Sequence, residues 1–201
     1  MRNQLHRASR EAGAAARIEA RHVLPGEPAK RPGDVCVPGY AGGKTAYVDV
    51  VVSDYAAGYG FTADRRISDP GIVARETERR KRNKRTVAGG PTMHERVRAE
   101  GGIFLPMAFT TSGTETGSFG DYIKKLSEIA NERFGHNKRY FASKHRAHVA
   151  CTLHRALADA FLHRARLLAG SAGAYGPQSA EPALAPVLPF PVRPPVPPPG
   201  G

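Results

Sequence analysis

The sequence predicts a mixed α/β fold, a central β-sheet flanked by helices, and three observations predict it. Three β-rich runs follow one another between Ile18 and Val52. A fourth apolar run, Gly102 to Thr110, comes only after a long helical stretch, so a crossover leads into it. Two long amphipathic stretches then follow. The predicted order is helix, strand, strand, strand, helix, strand, helix, helix, with the consecutive strands forming an antiparallel meander.

Taken in order, Arg2 to Arg17 is rich in helix formers (Leu5, Ala8, Glu11, Ala14, Ala15, Ala16) and reads as a helix with a thin apolar stripe. Ile18 to Leu24 alternates apolar and polar residues, as a half-buried strand does, and Pro25-Gly26-Glu27-Pro28 ends it. Two valine-rich runs follow, Arg31 to Val37 and Thr45 to Val52. The segment Pro38 to Lys44 joins them as the loop of a β-hairpin. Ser53 to Asp69 has no clear period and reads as a loop. Ser68-Asp69-Pro70 supplies a cap and a first-turn proline for a helix that Gly89-Gly90-Pro91 stops. Met93 to Glu100 allows one or two further helical turns. In the fourth strand, Pro106 cannot donate to a ladder, which argues for an edge position or a bulge. Ser118 caps a helix carrying Phe119, Tyr122, Ile123, Leu126, Ile129, Ala130 and Phe134 at three- and four-residue spacing. Ser143 to about Ala169 is another, with Val149, Leu153, Leu157, Ala160, Phe161, Leu167 and Leu168 along one side. These elements make a domain of residues 1–170. Residues 171–201 form a Pro-rich tail that cannot build a core and favours polyproline II or disorder; an SH3-like partner for it is a lesser alternative.

The 201 residues suffice for one domain plus appendages, and 40% hydrophobic residues suffice for a modest core. A net charge of +12 points to nucleic acid (DNA first, RNA second), with an anionic membrane surface or an inert basic surface as alternatives. Two cysteines, Cys36 and Cys151, are no disulfide framework and suit a reducing compartment. No secretory or membrane-spanning stretch is evident, so the expectation is an intracellular protein, nuclear if eukaryotic, neither secreted nor membrane-bound.

The hairpin carries the most telling chemistry. Asp34 and Asp49 each interrupt a run of valines, and a carboxylate is costly to bury unless it is paired. On neighbouring strands they could face each other, and two carboxylates that close invite a hard divalent cation such as Mg²⁺ or Mn²⁺. With Glu19 before them and Lys81 after, the set has the groups that phosphodiester hydrolysis uses: metal ligands, plus a lysine to orient water or stabilise developing charge. The plainer alternative is a turn aspartate and an aspartate paired with a basic neighbour. Arg79, Arg80, Arg82, Lys84 and Arg85 form a cationic run that reads either as phosphate contacts or as a solvated helix face. His145, His148, Cys151 and His154 recur at three-residue spacing along one helix and read as surface residues rather than zinc ligands. Gly42-Gly43-Lys44 lacks the other glycine and the helix of a phosphate loop.

Arg31-Pro32-Gly33-Asp34, fourteen intervening residues and then Val48-Asp49-Val50-Val51 resembles the active-site hairpin of restriction-endonuclease-like (PD-(D/E)XK) nucleases. The likeness is greatest to variants at the carboxyl end of non-LTR retrotransposon and other reverse-transcriptase-bearing proteins. Glu78-Arg79-Arg80-Lys81 is similar to the family's Ala-Glu-x-x-Lys helix, and Phe104 to Phe109 to its following strand. The likeness runs in order from about His6 to Leu168. It implies an αβββαβ-type restriction-endonuclease-like fold, with Asp34 and Asp49 as Mg²⁺ ligands and Glu19 as an auxiliary acid. Position 51 is Val where the family has lysine, so the resemblance makes Lys81 the catalytic lysine, displaced onto the helix with Glu78 on the same face. The expected function is Mg²⁺- or Mn²⁺-dependent DNA nicking by a detached or degenerate retroelement fragment, since the length leaves no room for a polymerase. The alternatives are a non-catalytic basic nucleic-acid-binding module that keeps the fold, and a decaying reading frame.

Overall fold

Valine density and alternation place the sheet. In the computed structural model, which describes residues 1–20, 31–56, 59–85 and 89–172 (side chains as far as 167), four strands pair in chain order. Helix α1 (Arg2–Glu11) leads into β1 (Arg17–Ile18), β2 (Val35–Ala41) and β3 (Lys44–Ser53), which are antiparallel neighbours. Helices α2 (Ala63–Ser68), α3 (Ile72–Asn83) and α4 (Met93–Ala99) then cross over to β4 (Ile103–Thr110), which runs parallel to β3. Helices α5 (Gly117–Phe134) and α6 (Lys138–Ala172) complete the order. The expected mixed sheet with helices around it forms; the crossover holds the expected α3 and the short α4 anticipated over Met93 to Glu100, with α2 in addition. β4 lies at an edge, where Pro106, opposite Asp49, is tolerated.

Side-chain alternation gives the sheet two different faces. Val35, Val37, Ala46 and Val48 point into the main core, against Leu5 and Ala8 of α1 and Phe119, Tyr122, Ile123 and Leu126 of α5. Phe141, Val149 and Leu153 of α6 close that core. At its centre the buried Ser9 and Tyr122 hydroxyls are 2.5 Å apart. The other face carries Tyr47 and Phe104, packed with Val97 and Met93 of α4. A Thr92–Glu95 capping box starts α4.

Several expectations are corrected. Helix α1 stops at Glu11, because Ala12, Ala14 and Ala16 alternate into the core as extended chain does. The first strand is only Arg17–Ile18; residues 21–24 of the expected strand lie outside the described residues. Pro38 to Ala41 belong to β2, with a bulge after Val37. The hairpin loop is therefore just Gly42-Gly43, both at positive φ, the geometry of a type I′ turn. Thr62 caps an unforeseen α2 by accepting from the Arg65 N–H, and α3 begins after Gly71 rather than at Pro70. The last helix starts five residues early, and its stripe is buried only to Leu153, with Phe161 74% exposed, because the helix outruns the core. The chain divides into Met1–Leu162 and a unit from His163, of which residues 163–172 are helical; the Pro-rich tail beyond lies outside the described residues. No helix among the described residues is long and apolar enough to cross a membrane.

Candidate functional site

Alternation along β3 decides which side chains meet. Tyr47, Asp49, Val51 and Ser53 share the face turned away from the main core, and α3 packs on that face through Val73, Ala74 and Thr77. The Ser53 and Thr77 hydroxyls approach to 2.7 Å. One helical turn beyond Thr77, Lys81 Nζ lies 2.9 Å from Asp49 Oδ2. Both side chains are largely withdrawn from water, with Asp49 20% and Lys81 31% exposed. Burial pushes the Asp49 carboxyl above its ordinary range; the Lys81 hydrogen bond and charge pull it back, and the charge of Asp34 adds to the upward push.

Asp34 sits one residue before β2 and extends the ladder beyond the strand's end. Its N–H donates to the Val48 carbonyl at 2.7 Å, and the Val50 N–H donates to its Oδ2 at 2.8 Å. The chain is pressed so close to β3 there that a Cβ on residue 33 would stand 2.6 Å from the Val48 oxygen. That is the physical reason for glycine, and against proline, beside Asp34. Glu19 does not join the two aspartates. It follows β1 with φ at 49°, and its carboxylate accepts from both Arg2 and Arg31. Its effect is to fasten Arg31.

Arg31, Lys81, Lys84 and Arg85 line one cavity of about 330 Å³ together with Asp49. Four cations face one carboxylate there, and Phe104, Met93 and Pro32 supply the apolar wall. The excess of positive charge favours an anionic occupant there. The rest of the cationic run turns elsewhere. Arg79 and Arg80 both clasp Glu76, whose carboxyl they hold down at about 2, and Arg82 pairs with Glu78 at 2.9 Å. Glu78 also accepts from Ser118 at 2.6 Å, so it faces the start of α5 and does not share the Lys81 face.

Sequence reasoning missed Arg31, Met93 and Phe104 as wall residues. Arg31, within the Arg31-Pro32-Gly33-Asp34 run, and Phe104, within the Phe104 to Phe109 run, carried a signal by position; Met93 carried none.

Among the described residues no group of three or more His, Cys, Asp or Glu side chains is arranged to hold a metal ion. Along α6, Cys151 and His154 are exposed as expected of surface residues, but His145 is buried, because its ring packs on Phe141. Asp34 and Asp49 remain as donors. Mg²⁺ commonly takes one or two carboxylates and completes its shell with water and phosphate oxygens. Asp49 lines the cavity and the charge of Asp34 acts on it from outside that lining, so the two match such an ion in number. No protein-family model matches the chain, and no curated protein matches it.

Proposed function

We propose that this protein is a Mg²⁺- or Mn²⁺-dependent DNA-nicking domain of the restriction-endonuclease-like kind, related to the nuclease segments of retroelement proteins. One observation carries the reading: the hairpin acid Asp49 meets the helix-borne Lys81 at 2.9 Å, inside a cavity that three further cations, Arg31, Lys84 and Arg85, also line. Asp34 and Asp49 would hold the ion. When bound, it would supply the charge that polarises a scissile phosphate and acidifies water. Lys81 would stabilise negative charge developing on the phosphate oxygens, and its hydrogen bond and charge draw the Asp49 carboxyl down against the effect of burial. Arg31, Lys84 and Arg85 take the flanking phosphates, contacts that position a backbone without choosing a sequence.

The test is nicking of supercoiled plasmid by the purified chain with Mg²⁺ or Mn²⁺. Asp49→Ala should abolish nicking, and undiminished cleavage by that variant would sink the assignment. A second reading has its own support. Asp34 already accepts from the Val50 N–H and Asp49 is already neutralised by Lys81, as expected for a basic binding module with no chemistry. Salt-sensitive DNA binding without metal-dependent nicking would select it.

A further inference from the structure

A second concavity, of about 350 Å³, lies beside the first and shares Lys81 and Lys84 with it. Its other walls are Val51, Thr77, Arg80 and the ring of Tyr59. Arg80 lies over that ring at 4.3 Å from the centroid, and Glu76 fixes the guanidinium by accepting from its Nε at 2.8 Å. The Tyr59 hydroxyl donates to Ser53 at 3.4 Å, so the phenol is tethered at one end to β3. The pairing recurs nearby, with Arg65 5.4 Å from the Phe61 centroid. Aromatic rings set in a cationic groove, with arginine adding cation–π contacts, are what proteins use to grip unpaired nucleotides. The ring stacks on a base and the cations take the phosphates. A duplex, whose bases are already stacked, leaves no base face for the ring.

We infer that Tyr59 is a stacking platform for an unpaired base, so that a single strand runs from the Asp49 cavity across Lys81 and Lys84 to Tyr59. The inference deepens the proposed function by naming the strand that enters the site: unpaired nucleic acid, such as the frayed or displaced strand beside a duplex. Val51 gives the concavity an apolar wall, and its volume falls in the range of small-ligand pockets.

The experiment is fluorescence anisotropy of labelled dT12, rU12 and a blunt 12-base-pair duplex with the full chain, in EDTA at one fixed salt concentration. Tyr59→Leu should weaken binding of the single strand by roughly 5- to 100-fold, the loss of one stacked base, and leave duplex binding unchanged. Tyr59→Phe, which keeps the ring, should bind as the unaltered protein does. Whichever of dT12 and rU12 loses affinity in Tyr59→Leu identifies the sugar, and loss of affinity for neither overturns the platform. Equal loss for single strand and duplex also overturns it, since that is what a merely structural role gives. EDTA removes any dependence on catalysis. Tyr59-dependent binding by a chain that never nicks plasmid refutes the cleavage reading alone, and nicking with no Tyr59 effect refutes this inference alone.

Discussion

Lys81→Met isolates the contact on which the site rests. It keeps most of the side chain's bulk and removes the charge 2.9 Å from Asp49. Fully exposed pairs contribute about 0–1 kcal/mol, and breaking a fully buried one costs about 3–5 kcal/mol. With Asp49 20% and Lys81 31% exposed, the pair stands between those limits, and a loss of about 1–2 kcal/mol at pH 7 is expected. In thermal unfolding this is a drop of roughly 2–8 °C. The sign of the pH dependence follows from Asp49. Its carboxyl is already held above its ordinary value by burial, and without Lys81 burial and the charge of Asp34 act upward on it, opposed only by the charge of Lys84. A carboxyl whose folded pKa exceeds its unfolded one stabilises the fold at low pH and loses that contribution as pH rises through the folded value. The deficit of Lys81→Met against the unaltered protein should therefore be largest at pH 7 and close towards about pH 4, near the ordinary aspartate value. Urea unfolding at several pH values measures it. Lys81→Met combined with Asp49→Asn should recover most of the deficit, since no buried charge is left unpaired. Equal stability of Lys81→Met and the unaltered protein at pH 7, or strict additivity of the two substitutions, would refute the pair.

Three other outcomes follow from the same geometry. Replacing Lys84 and Arg85 together with alanine should weaken DNA binding and lower the slope of log K against log salt by about 2 in an anisotropy titration, whereas Arg79→Ala, whose guanidinium is bound to Glu76, should change the slope less. Gly33→Ala should destabilise the fold by about 1–3 kcal/mol in urea, because its Cβ would stand 2.6 Å from a backbone oxygen that β3 holds in place. His145 lies buried between α1 and α6, its ring 4.4 Å from that of Phe141 and its Nε2 3.5 Å from Glu11; burial lowers its pKa, Glu11 opposes that, and Lys144, His148 and Arg7 reinforce it. The folded state thus prefers neutral imidazole, so stability present above about pH 6.5 should be lost as pH falls through the folded value, and His145→Phe should flatten that part of the thermal-unfolding profile.

The strand order and the crossover were legible because they follow from periodicity and turn chemistry. Val35, Val37 and Val48 stand in β-branched runs bounded by turn residues, and Pro106 announced an edge or a bulge. The hairpin turn was misplaced because Pro38-Gly39 looks like loop chemistry, yet it forms the bulge that lets β2 continue to Ala41. In the site, Asp49 was legible as an acid among valines, and Lys81 followed from its place on the next helix. Glu19 and Glu78 were not, because sequence spacing is silent on partners: Arg31 and Arg2 take one, Arg82 and Ser118 the other. Nor could spacing separate Lys84 and Arg85 from Arg79, Arg80 and Arg82. That division depends on where Glu76 and Glu78 fall around α3, and on the chain leaving the helix at Lys84.

Val51 links the two halves of the functional argument. It stands two residues after Asp49, on the same face of β3, so a lysine there would reach the same cavity. Here that position lines the Tyr59 concavity instead, and an ammonium group in its place would need a counter-charge that the neighbouring Arg80, Lys81 and Lys84 cannot provide. Bringing the lysine in from α3 lets one side chain meet Asp49 while the strand keeps an apolar wall beside the ring. In the proposed reading, the displaced lysine and the stacking platform are therefore two consequences of one arrangement. Moving the lysine back, as Val51→Lys with Lys81→Met, should restore the charge beside Asp49 and cost the grip on a single strand.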